Sequence, residues 1–170
     1  MVEKKQVLYD LRTTYSGPFL VEEFYAEVEN WAKDKGYDKD PKKKMEHVTK
    51  DGKKIEWVVE IHHHLDDLHQ SIVILRALFD NVKEIVIKKD GKKLRINNGD
   101  AYISIDGFIH SHIQGTFWQA KPMYYFFRGL VDHYIYNFWS FRHDGKVQAD
   151  CHELFKKIRS FFSLQKYKYE

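Results

Sequence analysis

The chain has 170 residues, 43% hydrophobic and 16% aromatic, enough for one well-filled core without a disulfide or metal staple. Basic and acidic residues nearly cancel to a net charge of +3, which disfavours a dedicated nucleic-acid binder with its concentrated basic face. Cys151 is the single cysteine, so an internal disulfide is excluded, and no apolar leader follows Met1-Val2-Glu3-Lys4-Lys5. The most apolar stretch, 123–141, carries Arg128, Asp132, His133 and Asn137, which are costly inside a bilayer, so no transmembrane segment is expected. These features predict one cytoplasmic domain over residues 1–170.

From the start, Val7, Tyr9, Leu11 and Thr13 alternate as in a half-buried strand, and Ser16-Gly17-Pro18 is expected to break it. Pro18 suits the first turn of a helix, with Ser16 or Gly17 as cap candidates. Val21, Phe24, Tyr25, Val28, Trp31 and Ala32 then recur at helical spacing until Gly36, a C-cap signal. Asp51-Gly52 marks a hairpin turn between strands over 44–50 and 53–65. In the second of these, Ile55, Trp57, Val59 and Ile61 share one face, while Glu56, Glu60, His62 and His64 share the other. The run 71–79 is apolar on both faces apart from Arg76, as a central strand would be. Further strands are predicted over 84–88, 93–96 and 101–114, separated by Asp80-Asn81, Asp90-Gly91 and Asn97-Asn98-Gly99-Asp100. After Pro122, a broad aromatic stripe leads to Asp144-Gly145, a candidate interruption. A last helix over 147–164 follows, its apolar face including Cys151, Leu154, Phe155, Ile158, Phe161 and Phe162, with a frayed tail.

One strand, one helix, a meander and one or two closing helices make an α+β fold. The expectation is a curved antiparallel sheet of about seven strands, its apolar face covered by the helices. This order resembles the helix-grip arrangement of START-like and Bet v 1-like domains. The words Tyr15-Ser16-Gly17-Pro18-Phe19, Glu23-Phe24-Tyr25, Trp31-Ala32 and Lys35-Gly36-Tyr37 resemble the opening of a family of uncharacterised archaeal proteins. Asp90-Gly91-Lys92-Lys93, Asn98-Gly99-Asp100 and Phe127-Arg128-Gly129-Leu130-Val131-Asp132 resemble its later landmarks. The resemblance implies fold, domain extent and an archaeal cytoplasmic setting, and no activity.

For function, the aromatic C-terminal segment is the most suggestive feature. Met123, Phe127, Leu130, Tyr134 and Phe138 are expected to line an apolar cavity between sheet and helix, in a non-enzymatic domain that binds an apolar small molecule. Exposed aromatic surface offers an alternative, a module for protein interaction or for self-association into a homo-oligomer. A second alternative is a metal-dependent enzyme. His62 and His64 point the same way on a strand, with Asp66 or His69 completing a ligand set for a divalent metal, although no cofactor is required by the leading reading. The plain reading of these histidines is a solvated sheet face. Carboxylates facing the same way as histidines, Glu56 and Glu60 with His62 and His64 and Asp106 with His110 on a separate, non-neighbouring strand, are general acid–base candidates only if they line a cleft. Cys151 reads as a packed core thiol, and the lysine pairs near the Asp-Gly turns as solubilising charge. Nucleic acid is not an expected partner.

Overall fold

Alternating apolar residues force the middle of the chain into strands, and two helical stripes have nowhere else to bury themselves. A computed structural model describes residues 2–89, 91–112 and 137–169 and is α+β. Its elements are β1 (Val2–Phe19), α1 (Val21–Asp34), β2 (Asp38–Thr49), β3 (Gly52–His64), β4 (His69–Lys89), β5 (Lys92–His112) and α2 (Asn137–Tyr169). The strands form one five-stranded antiparallel sheet in the order β1-β5-β4-β3-β2. The run apolar on both faces lies in β4, the central strand, as its composition predicts.

Among the described residues five strands stand where about seven were expected, because two apparent turns are irregularities inside long strands. Asp80-Asn81 lies within β4, where Asn81 takes φ 51 and the register against β5 shifts between Asp80 and Lys83. Asn or Asp tolerates this left-handed conformation, so the strand bends and continues instead of ending. Asn98-Gly99-Asp100 lies within β5, at a close crossing of backbones. A Cβ on Gly99 would sit 2.8 Å from the Asp80 carbonyl oxygen and 3.0 Å from Val82 Cα. Glycine here answers proximity, not a turn.

Further expectations are corrected. Ser16-Gly17-Pro18 does not end β1, which stays paired with β5 through Phe19↔Asn97. As an edge strand, β1 is where a proline is tolerated. The N-cap of α1 is Leu20, without a side-chain cap, and Ser16 Oγ instead donates to Asp100 Oδ1 at 2.5 Å. The alternation of Val7, Tyr9, Leu11 and Thr13 is broken by Asp10 at φ 50, so Tyr9 turns outward and is 78% exposed. At the other end, α2 runs through Asp144-Gly145 and stays helical to Tyr169, where a frayed tail was expected. Gln165 anchors that end by donating to Glu23 Oε2 at 2.5 Å.

Both helices cover one face of the sheet, here called the inner face. All six predicted residues of α1 are buried. The helix closes as expected at Gly36 (φ 70): Tyr37 N–H bonds Ala32 O at 2.8 Å and Gly36 N–H bonds Lys33 O at 3.1 Å. These are the paired bonds of a Schellman end, and Trp31 stacks on Tyr37 at 5.3 Å beside it. From α2, Val147, Cys151, Leu154, Ile158, Phe161 and Phe162 enter the same core as the inward residues of β3, β4 and β5. Phe24 is its hub, with ring centroids 5.3 Å from Phe79, 5.6 Å from Phe162 and 6.1 Å from Trp57. Each such fully buried ring stabilises the fold by about 2–3 kcal/mol through area removed from water. No helix among the described residues is long and apolar enough to cross a membrane.

Candidate functional site

The 147–162 part of α2 packs on the sheet through a buried apolar cluster, in which Tyr15 stacks on Phe162 at 4.7 Å. The cavity residues named from sequence, Met123, Phe127, Leu130 and Tyr134, lie outside the described residues. Of Phe138 only the helical backbone is described.

The opposite, outer face of the sheet holds a groove of about 650 Å³, a size typical of small-molecule sites. Strand alternation supplies its walls. Arg12 and Thr14 come from β1, Tyr102 and Ser104 from β5, Arg76 and Leu78 from β4, and Lys54, Glu56 and Val58 from β3. Tyr102 is 48% exposed and presents its ring to the groove.

Two guanidinium groups on the rim are fixed by carboxylates beneath them. Asp106, 5% exposed, pairs with Arg76 and accepts the Asp10 backbone N–H at 2.7 Å. Asp10 in turn pairs with Arg12 and accepts from Ser104 Oγ at 2.9 Å. The Arg12 hydrogen bond holds the Asp10 carboxyl below the usual carboxylate range, despite an opposing push from burial. The bulge that turned Tyr9 outward therefore also seats this network, by aiming the Asp10 N–H at Asp106. Sequence reading singled out Arg76 as the lone charge in an apolar run. What it lacked was the bulge that gives Asp106 a second donor.

The predicted metal set does not converge as a unit. His62 Nε2 lies 3.6 Å from Glu60 Oε2, and the nearby carboxylates Asp40 and Glu60 are bridged by Lys42 at 2.5 and 3.2 Å. A lysine ammonium thus already supplies the positive charge that this group attracts. His64 is exposed at the end of β3. His63 faces inward, where its ring packs on Tyr37 at 4.8 Å and its Nδ1 lies 3.0 Å from Gly36 O. Asp66 and His69 meet in the β3–β4 turn, and the residue that joins them is His143 of α2, which sequence reading missed. No local pattern points to His143, because its partner Asp66 is 77 positions away. β4 lies between β3 and β5, so His62 and His64 are not on a strand adjacent to that of His110.

Cys151 is a core thiol, fully buried, and burial pushes it up to about 12, with Asp150 and Asp106 adding to the rise. It is unsuited to nucleophilic work. Its neighbour Asp150 accepts the Tyr37 hydroxyl hydrogen bond at 2.7 Å and an ion pair from Lys35 at 3.4 Å, tying the end of α1 to α2. Neither a protein-family model nor a curated protein sequence matches this chain.

Proposed function

We propose that the chain is a non-enzymatic small-molecule-binding domain, and that its outer-face groove takes a largely apolar ligand bearing an anionic group. The groove, with Arg76 held by the buried Asp106, is the observation that carries this reading. Val58, Leu78 and the Tyr102 ring give apolar contact, while the exposed N–H groups of Arg12, Arg76 and Lys54 offer donors to an anion. A carboxylate is the natural partner of an oriented guanidinium, which binds it through two parallel hydrogen bonds. The charged rim groups are mostly engaged already: Arg12 with Asp10, Arg76 with Asp106, Glu56 with Lys43 at 2.6 Å. Such groups position a ligand and do not shuttle protons, which favours binding over catalysis. The element order, with the first and last described strands paired and a long helix on the inner face, supports a helix-grip-like domain.

Aryl and alkyl carboxylates, each against its neutral amide, test the reading by calorimetry. The carboxylates should bind, and Tyr102→Ala together with Leu78→Glu should weaken them at least tenfold. Equal binding of acid and amide removes the anionic part of the proposal, and unchanged affinity in the groove variant removes the site.

A further inference from the structure

The Asp66, His69 and His143 cluster lies at the β3–β4 turn, on the order of 25 Å along β4 from the groove at the strand rise, and serves no part of the binding reading above. Its geometry starts from the local sequence. Asp66 Oδ1 accepts the backbone N–H of Leu68 at 2.8 Å and of His69 at 2.7 Å, an Asx-type turn that fixes the carboxylate. The same turn places His69 Nδ1 2.9 Å from Oδ1 and 3.0 Å from Oδ2. From α2, His143 Nε2 reaches Oδ2 at 2.9 Å. Two imidazoles from elements far apart in sequence therefore converge on one carboxylate oxygen. Both imidazoles are largely buried, 12% and 16% exposed, while Asp66 keeps 40% of its side chain open to solvent.

We propose that Asp66, His69 and His143 form a binding site for a divalent transition-metal ion of the zinc class. Three features of the geometry support it. Donor atoms from the three residues all lie within 4.8 Å of one another. The His69 Nδ1–Oδ2 and His143 Nε2–Oδ2 separations of 3.0 and 2.9 Å match the spacing of neighbouring ligands around one ion. That spacing is about 3.0–3.4 Å for bonds of ~2.1 Å in octahedral to tetrahedral arrangement. Finally, the exposed side of Asp66 leaves room for a water as a further ligand, the pattern of three protein donors with an open position. The imidazole pair selects against magnesium and calcium, which take oxygen ligands. The carboxylate is ready for this role. The Leu68 and His69 backbone N–H groups hold its Oδ1 in place, and its Oδ2 lies within 3.0 Å of both imidazoles. Bound metal would pin the end of the β3–β4 turn to α2, replacing two hydrogen bonds by coordination bonds.

Titration of tag-free, chelator-treated protein with Zn²⁺ by calorimetry tests the site, with Mg²⁺ and Ca²⁺ as controls. One equivalent of Zn²⁺ should bind, with a rise in melting temperature, and the two hard cations should give neither. His69→Ala and His143→Ala should each weaken Zn²⁺ at least ~100-fold, and His64→Ala should leave it within threefold. Co²⁺ should give visible d–d absorption in the wild type that is absent from His143→Ala. Circular dichroism establishes that each variant folds; if His143→Ala does not, Asp66→Asn, which keeps the shape of the acceptor, must show the same loss. The proposal is overturned if the wild type takes up no saturable equivalent, or if His143→Ala or Asp66→Asn binds as tightly as the wild type. The groove variant of Tyr102 and Leu78 should bind Zn²⁺ normally, so failure of one reading leaves the other standing.

Discussion

Gly107 is where α2 presses hardest on the sheet, and a single methyl group there measures that pressure. It lies in β5, opposite Leu8 of β1 and Val73 of β4. A Cβ added to it would meet Cys151 Sγ at 2.9 Å, Val147 Cγ1 at 3.2 Å and Leu8 Cβ at 3.3 Å. The first contact is closer than real Cβ atoms tolerate, and the sulfur sits in a fully buried side chain with no room to swing away. Gly107→Ala should therefore lift the helix or strain the strand, at the ~1–3 kcal/mol typical of overpacking. Reduced freedom of the unfolded chain returns about 0.4–1 kcal/mol, leaving a net loss of about 1–2 kcal/mol. For a chain of this size that lowers Tm by roughly 2–8 °C. Cys151→Ala deletes the offending sulfur, and the added methyl should then occupy part of its space. A double-mutant cycle by urea denaturation should show a favourable coupling of at least ~1 kcal/mol. Strict additivity, or a Gly107→Ala protein as stable as the wild type, would refute the close approach of α2 to β5 at this point.

Alkali and a helix end give two further expectations. Burial pushes the Cys151 thiol from 9.0 and the Tyr25 phenol from 10.0 each up to about 12, and it also raises the Tyr37 phenol. All three hold their protons more tightly when folded, so their contribution is complete below the unfolded values and is lost as pH climbs from 9 toward 12. Linkage over Cys151 and Tyr25 alone removes ~4 kcal/mol by pH 11. Denaturation midpoints should be flat from pH 6 to 8 and fall steeply above about 9.5; a flat profile to pH 11 would show these groups to be solvated. Gly36 has nothing within 4 Å of an added Cβ, so Gly36→Ala should cost only the backbone strain of φ 70, about 1–2 kcal/mol. Gly36→Asn should cost less, since Asn tolerates this conformation. Equal losses in chemical denaturation would point to a hidden contact instead.

Legibility in the sequence followed the range of the interaction. The α1 stripe from Val21 to Ala32, its end at Gly36 and the inward face of β3 were all readable, because helical and strand periodicity act over a few residues. The central place of β4 was readable from its two-sided apolarity. Strand number was not. Asp80-Asn81 and Asn98-Gly99-Asp100 have turn composition, yet they serve a bend and a close backbone approach between paired strands, which depend on the register of β4 against β5. Likewise, Asp66 and His69 were visible as neighbours, but His143 and the Asp10–Asp106 contact depend on tertiary packing that no short window contains.

Pairing the first strand with the last has a consequence for synthesis. Residues 2–19 are synthesised well before β5, their sheet neighbour among the described residues, which is completed at His112. At ordinary elongation rates that leaves β1 waiting roughly 5–20 s as an unpartnered edge. Tyr9 and Val7 are then open to whatever strand drifts past, so overproduction should tax the nascent protein more than its finished fold would suggest.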